Sequence, residues 1–178
     1  MALTTDYTDG TDSRKPYSCP PVKPVVKLLL CLVALSLWAA PAVRAQREKL
    51  PPEDLEFVEK TWPEAKKTNT GIRYIVLREG SGAVAKAGDR VLVLYVGRLL
   101  NGTVFDQATE KDKAFKLRIG RGEVIRAWDQ ILQQMKVGEK RLVVVPPELA
   151  YGTRGQPPKI GRNATLVFEM ELIELAND

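Results

Sequence analysis

The stretch GRGEVIRAWDQILQQMKVG, residues 120–138, decides the fold, because its apolar residues follow a helical period between segments that have the pattern of strands. Apolar residues recur there at spacings of three and four, which places them on one helix face: Val124, Ile125, Trp128, Ile131, Leu132 and Met135. Polar residues take the opposite face, and Gly138, preceded by Lys136, is placed to follow the helix C-terminus. The stretch predicts one short amphipathic helix, which must lay its apolar face on a sheet.

Segments on both sides of this helix are predicted to be strands. Residues 71–80 and 90–100 are β-rich runs, and the Asn101-Gly102 pair that follows is a strong hairpin signal. Further strands are predicted over AFKLRIG, over the run that ends at Pro146-Pro147, and over ATLVFEMELIEL near the C-terminus. The order of strands, one helix and strands, without an internal repeat, predicts an α+β fold with an antiparallel sheet wrapped on a single helix.

Residues 46–70 form a polar preamble to this domain. Pro52 at a first helical turn, followed by early acids and by apolar residues at spacings of three and four, predicts a short helix from Pro52 to about Thr61. The segment AKKTNTG that follows has the composition of a linker. The pattern leaves open whether the helix is a spacer or docks onto the domain.

The first 45 residues have the pattern of a secretory signal. Lys23 and Lys27 precede an apolar run over residues 28–40, and Val43-Arg44-Ala45 is a small-residue site, so we expect cleavage after Ala45. The run is shorter than the about 20 apolar residues that a membrane span needs. An uncleaved anchor remains the alternative to a transient passage through the membrane. A cleaved signal predicts a periplasmic or secreted protein.

The residue inventory excludes several kinds of chemistry. The chain of 178 residues has no histidine, and its two cysteines, Cys19 and Cys31, lie in or before the apolar run. A histidine-containing zinc site, a Ser-His-Asp triad and a Cys-His pair are therefore excluded, and no cofactor is implied. The net charge is +5, yet no basic run is longer than two residues, so nucleic-acid binding is not expected.

Aromatic residues on predicted loops and strand ends are candidates either for the core or for a pocket: Tyr95, Phe105, Phe115, Trp128, Tyr151 and Phe168. Tyr151 lies between the Pro-Pro stop and a glycine-rich loop, which favours a pocket wall. Asp106 is the acid embedded in an aromatic context, in the segment VFDQ.

From residue 71 to the C-terminus the chain resembles an FKBP-type peptidyl-prolyl cis–trans isomerase domain. The matching motifs are VLVLYVGRLLNGTVFD, FKLRIGRGEVIRAWDQ, MKVGEKRLVVVPPELAYG and ATLVFEMELIEL. The resemblance implies a five- to six-stranded, half-wrapped antiparallel sheet around one short helix. It assigns residues 71–178 to the isomerase domain, while the patterns described above assign residues 1–45 to the signal and 46–70 to the preamble.

The resemblance also implies a site, position by position. Trp128 matches the floor of a prolyl pocket, Val124 and Ile125 match the apolar pair at the helix start, and the N–H of Ile125 would bond a substrate carbonyl. The implied catalytic residues are Asp106, Tyr151, Tyr95, Phe105 and Trp128. The implied substrate-binding residues are Phe115, Val124, Ile125, Phe168 and Ile160. Lys111, Gln156 and Lys159 depart from the family pattern at the rim, so sequence preference and macrolide affinity stay open.

The function implied is acceleration of X-Pro isomerisation in folding proteins outside the cytoplasm. Its partners would be proline-containing polypeptides and macrolide inhibitors, and the short preamble favours a monomer. A non-catalytic chaperone or partner-binding module that uses the same pocket is the alternative.

Overall fold

The computed structural model describes residues 48–176, so the predicted signal sequence and its cleavage site lie outside the described residues. Two α-helices, two 3-10 turns and seven strands follow one another in this part of the chain. They are α1 (Pro52–Thr61), β1 (Lys66–Lys67), β2 (Arg73–Arg78), β3 (Arg90–Leu99), β4 (Val104–Ala108), a 3-10 turn (Lys111–Lys113), β5 (Phe115–Arg118), α2 (Arg126–Leu132), β6 (Lys140–Val145), a 3-10 turn (Pro147–Leu149) and β7 (Leu166–Ala176).

The strands form one antiparallel sheet with the order β1-β2-β6-β7-β3-β4, and β5 pairs with β3 beyond this path. The α+β class and the antiparallel sheet are confirmed. The sheet has seven strands rather than five or six, because Lys66–Lys67 pairs with β2 where a linker was expected. The longest pairing joins β3 to β7, from Arg90↔Ala176 to Leu99↔Leu166, and these two strands form the centre of the molecule.

The predicted hairpin joins β3 to β4. The amide of Leu99 donates to the carbonyl of Thr103, and the amide of Gly102 donates to that of Leu99, both at 2.9 Å. Gly102 has a φ of +86°, a conformation that glycine adopts without steric cost. The register that this turn sets places Asp106 opposite Gly97.

Helix α2 is shorter than the periodic stretch predicted. It begins at Arg126 and ends at Leu132, so Val124 and Ile125 precede it and Gly138 lies in a separate turn. At its N-terminal side, the carboxylate of Asp129 accepts the Gly120 amide at 2.8 Å and folds the glycine-rich loop back onto the first turn. At its C-terminal side, Val137 donates to the carbonyl of Ala83, so the chain leaves the helix to pair with another segment.

The apolar face of the stretch is nevertheless buried as predicted. Ile131, Leu132 and Met135 are fully buried under the sheet, in a core that also contains Trp128. Met135 contributes although it follows the helix, because the loop after Leu132 keeps the side chain on the same side.

Helix α1 packs on another part of the molecule, and its predicted bounds are confirmed. Val58 is fully buried in a second cluster with Leu50, Val144 and Val167. The docked alternative therefore holds, because Val144 and Val167 of β6 and β7 present apolar surface that needs covering. The hydroxyl of Thr165 also donates to Asp54 at 2.5 Å. Within residues 48–176 no helix has the length and apolar character needed to cross a membrane.

Candidate active site

A cavity of about 160 Å³ lies at the start of α2. All the predicted site residues except Ile160 line it, together with Glu123, which sequence reasoning missed. The lining residues are Tyr95, Phe105, Asp106, Phe115, Glu123, Val124, Ile125, Trp128, Tyr151 and Phe168.

These side chains come from four strands, one helix and two loops, and the loop before α2 carries Glu123, Val124 and Ile125. Tyr95 lies on β3, Phe115 opens β5, and Phe168 lies on β7 opposite Gly97 of β3. Phe105 and Asp106 lie on β4, Trp128 in the first turn of α2, and Tyr151 in the loop after the second 3-10 turn. The sheet and the helix thus fix five of the six aromatic side chains, while loops supply Tyr151 and the rest of the wall.

The aromatic rings form one edge-to-face cluster around Trp128. The centroid of its ring lies 4.8 Å from that of Tyr95, 5.4 Å from that of Phe168 and 5.9 Å from that of Phe115, with interplanar angles of 84–88°. Each such pair contributes about 0.5–1.5 kcal/mol beyond the burial of its area. Trp128 is only 4% exposed, so it belongs to the core and to the cavity at once, and its position is rigidly set.

Asp106 and two tyrosines form the polar side of the cavity. The hydroxyl of Tyr95 donates to Oδ2 of Asp106 at 2.7 Å, and the amide of Gln107 donates to Oδ1 at 3.0 Å. Burial and the bond to Asp106 raise the pKa of Tyr95 well above its usual value. Burial, and then the negative charge of Asp106, also raise the pKa of Tyr151. Both phenols therefore stay protonated at neutral pH.

Several hydrogen-bond donors on residues that line the cavity have no partner within residues 48–176, and the buried indole N–H of Trp128 is one of them. The N–H of Ile125 bonds to no other described group, whereas its carbonyl accepts the Trp128 amide at 3.0 Å. The hydroxyl of Tyr151 likewise has no hydrogen-bond partner in the described part of the chain. The amide of Ile125 and the hydroxyl of Tyr151 are thus unused donors beside an aromatic floor, whose indole N–H is also without a partner.

A second cavity, of about 340 Å³, adjoins the first and shares Phe105, Asp106 and Tyr151 with it. Ile160 is buried and lines this second cavity rather than the first. The rest of its wall is the loop segment Gln156, Pro157, Pro158 and Lys159. Lys111, the third rim position noted in the sequence, is exposed on the first 3-10 turn and lines neither cavity.

Three larger hollows lie elsewhere among the described residues, with volumes of about 520, 560 and 740 Å³. They are larger than the aromatic cavity, but they are weaker candidates for the active site because polar and charged side chains make up much of their walls. Tyr74 is the only aromatic residue that lines any of the three. The smaller cavity differs from them in having six aromatic side chains in its wall, and aromatic side chains with a few convergent polar groups are typical of a ligand site.

The described residues form an α+β protein in which an antiparallel sheet packs around a short helix, with an aromatic cavity at the helix start. Comparison with known proteins shows the family to which this chain belongs. The model of the FKBP-type peptidyl-prolyl cis-trans isomerase family matches residues 82–173. FK506-binding protein 1 of Dictyostelium discoideum is 42% identical over 103 residues, which cover 58% of this chain and 96% of that protein. The chain therefore belongs to the FKBP-type peptidyl-prolyl cis–trans isomerase family, a family of enzymes.

Two further comparisons agree with this family assignment. Peptidyl-prolyl cis-trans isomerase FKBP4 of Rattus norvegicus is 44% identical over 135 residues, which cover 75% of this chain but only 28% of that longer protein. The crystal structure of AtFKBP13 has a TM-score of 0.60 and 39% identity, and it covers 64% of this chain and 99% of that chain.

Proposed function

We propose that this chain catalyses the cis–trans isomerisation of X-Pro bonds in polypeptides, with the aromatic cavity as its prolyl pocket. The single observation that carries the proposal is the convergence of the family's site residues on one apolar cavity with unused donors at its edge. An apolar cavity of about 150 Å³ accommodates benzene. A cavity of about 160 Å³ therefore has room for a pyrrolidine ring.

The chemistry requires no nucleophile. Amide resonance sets a rotation barrier of about 18–20 kcal/mol, and X-Pro bonds exchange in tens to hundreds of seconds without a catalyst. Twisting the bond removes this resonance, so the twisted amide is less dipolar than the planar one. An aromatic, water-poor pocket disfavours the planar ground state more than the twisted state, which is differential binding of the transition state.

The polar groups would orient the bound segment. The N–H of Ile125 would bond a substrate carbonyl, and the Tyr151 hydroxyl would bond a second carbonyl or hold the amide in its twisted form. Asp106 would act through its fixed charge and its bond with Tyr95 rather than by proton transfer. Trp128 would form the floor beneath the proline ring.

An isomerisation assay on the full chain, and in parallel on the chain that begins at Gln46, tests this function. Peptides of the form X-Leu-Pro-Phe and X-Ala-Pro-Phe should isomerise above the uncatalysed rate. Trp128→Leu should reduce the rate strongly, whereas Leu77→Ala, at an exposed apolar position outside the cavity, should leave it unchanged. An uncatalysed rate for both peptides, with retained binding of a proline peptide, would support the non-catalytic binding module instead.

An extracytoplasmic location is a separate part of the proposal. It is supported by the positive flank, the apolar run and the small-residue site that ends at Ala45. A mature chain that begins at Gln46 would support a cleaved signal and residues 71–178 as the isomerase domain of a periplasmic or secreted protein. A purified chain that still contains residues 1–45 would contradict cleavage. One relative, of Drosophila melanogaster, is named a nuclear protein, which is a different location from the one proposed for this chain.

The ligands are proposed on the same basis. Several relatives are named FK506-binding proteins, and a macrolide of that class would occupy the same cavity as a proline segment. Competition between the macrolide and a proline peptide would support a shared site. A monomer is proposed because α1 is short and packs on its own sheet, and sedimentation of the chain tests this.

A further inference from the structure

Phe105 stands between the two cavities of the site and lines both. It lies at a β-bulge, because Asp106 pairs with Gly97 and Val104 pairs with Arg98, which leaves Phe105 as the extra residue of β4. A bulge bends its strand and re-aims a side chain. The Phe105 ring consequently lies across β3, edge-to-face with Phe168 at 5.7 Å between centroids.

The ring occupies the space that a side chain at Gly97 would need. A Cβ atom built on Gly97 would lie 2.7 Å from Cζ and 2.8 Å from Cε2 of Phe105, and 3.0 Å from Cε1 of Phe168. The φ of Gly97 is outside the left-handed region, so its backbone does not require glycine. Glycine inside a strand weakens the strand, and its usual justification is the close approach of another group. At Gly97 the approaching groups are the rings of Phe105 and Phe168, which line the cavity.

Lys159 contacts the main chain of Phe105. Its ammonium Nζ donates to the main-chain carbonyl of Phe105 at 3.0 Å and ties the loop of the second cavity to the bulge. Charge-assisted bonds of this kind are stronger than neutral ones.

We propose that Gly97 and Lys159 are positioning residues, which together set the place of the Phe105 ring and thereby the shape of the prolyl pocket. Gly97 leaves the space into which the ring packs, and Lys159 fixes the main chain that carries it. This inference rests on the proposed function for its effect on rate, but its geometric content is independent of catalysis. Neither residue touches the substrate in this scheme.

Gly97→Ala tests the first half. The added methyl group displaces the Phe105 ring, and kcat/KM should fall about tenfold, the effect of a change of about 1.4 kcal/mol in transition-state binding. Gly82→Ala is the matched control, because a Cβ there would lie 2.6 Å from Cβ of Val137, far from the cavity lining. Its folded fraction should keep the wild-type kcat/KM. An equal loss in both variants would show a general effect of crowding at a glycine and would overturn the proposal.

A double-mutant cycle shows whether Gly97 acts through Phe105. In the background of Phe105→Leu, whose smaller side chain vacates the contested space, Gly97→Ala should change kcat/KM by less than about threefold. An undiminished loss in that background would overturn the proposal.

Lys159 allows a test that does not depend on folding, because its side chain is on the surface. Lys159→Met removes the donor and should lower kcat/KM several-fold, whereas Lys159→Arg keeps a donor and should restore most of the rate. Loss of rate in both variants, or in neither, would count against a role through the Phe105 carbonyl.

A spectroscopic readout separates this inference from the proposed function. The chain has 4 phenylalanines, so ring ¹³C signals are assignable by substitution. Gly97→Ala and Lys159→Met should each shift the Phe105 signal, while Gly82→Ala should not. This result would support the positioning role even if the wild-type chain proved inactive, and unshifted Phe105 signals would refute it even in an active enzyme.

Discussion

Asp106 has fixed neighbours on both of its carboxylate oxygens. Tyr95 donates to one oxygen and the Gln107 amide to the other, so the carboxylate is oriented before any substrate arrives. A group held in this way supplies a directed charge. The reaction that we propose makes and breaks no covalent bond and therefore gives a general acid or base nothing to do.

Replacing Asp106 with asparagine or leucine should therefore reduce kcat/KM only modestly, by less than about tenfold. A true general acid or base contributes about 10²–10⁴-fold, so the two roles are well separated in magnitude. The measurement is the isomerisation assay, with Asp112→Asn, an exposed acid on the first 3-10 turn, as control. A loss of a hundredfold or more in the Asp106→Asn variant would contradict a purely orienting role for this carboxylate.

The sequence predicted the positions of some cavity residues but not of others. The residues that the family motifs assigned to a pocket wall, Trp128 and Tyr95 among them, line one cavity in the structure, and their role in a site stays a prediction. Gly97 was not noticed, because a glycine that makes room for a ring leaves no periodic or motif signal of its own. Glu123 has a charged side chain and belongs to no aromatic or apolar pattern, so only the fold shows that it lines the cavity.

At the scale of elements, the apolar face of α2 both lines the cavity and packs in the core. Its first turn presents Trp128 to the cavity, and its last turn buries Ile131 and Leu132 under the sheet. The residues before it, Val124 and Ile125, reach the cavity from a loop, which leaves the Ile125 amide outside the helical hydrogen bonds.

Substitutions at the two ends of α2 should separate function from stability. Leu132→Ala should lower the free energy of unfolding by about 2–5 kcal/mol, as expected for a truncated core leucine, with little effect on the kcat/KM of the folded fraction. Trp128→Leu removes three ring contacts and should cost a similar amount of stability, but it should cost far more activity. Urea unfolding and the isomerisation assay measure the two quantities, with Gln133→Ala at the exposed end as control. The same ratio of the two losses in both variants would contradict this division.

At the scale of the whole molecule, the segment before the family match is part of the fold. Glu48 binds Lys67 of β1 at 2.7 Å and Arg73 of β2 at 3.1 Å through Oε2, while its Oε1 accepts the amides of Lys49 and Leu50. Partial burial would raise the pKa of Glu48, but these hydrogen bonds outweigh it and lower the pKa from 4.5 to about 2. The chain entering α1 is thus tied to the edge of the sheet.

This arrangement makes part of the stability dependent on pH. Because the folded pKa lies below the unfolded value, the contribution of Glu48 is complete above pH 4.5 and is lost as the pH falls towards about 2. Solvent screening of a partly exposed group reduces the full linkage energy, so Glu48→Gln should cost about 1–2 kcal/mol at pH 7. Urea unfolding at pH 7, 5 and 3 should show the difference between the variant and the wild type falling by about half at the lowest pH. A constant difference would refute the linkage, and Glu56→Gln on exposed α1 surface is the control.

By itself the sequence determined the elements and the type of site. Periodicity gave the helix of residues 120–138 its buried face, the Asn101-Gly102 pair set the β3–β4 hairpin, and the family motifs identified almost the whole cavity lining. These features are local, since period, turn chemistry and motif are contained in neighbouring residues.

Only the tertiary structure decided where α2 ends, that α1 docks, and that β1 joins the sheet. Helix α2 stops at Leu132 because Val137 bonds to Ala83, and α1 docks because Val144 and Val167 present apolar surface to Val58. The fit of Phe105 over Gly97 likewise depends on the bulge between β3 and β4. Each of these outcomes is a competition between contacts distant in the chain, which a local pattern does not encode.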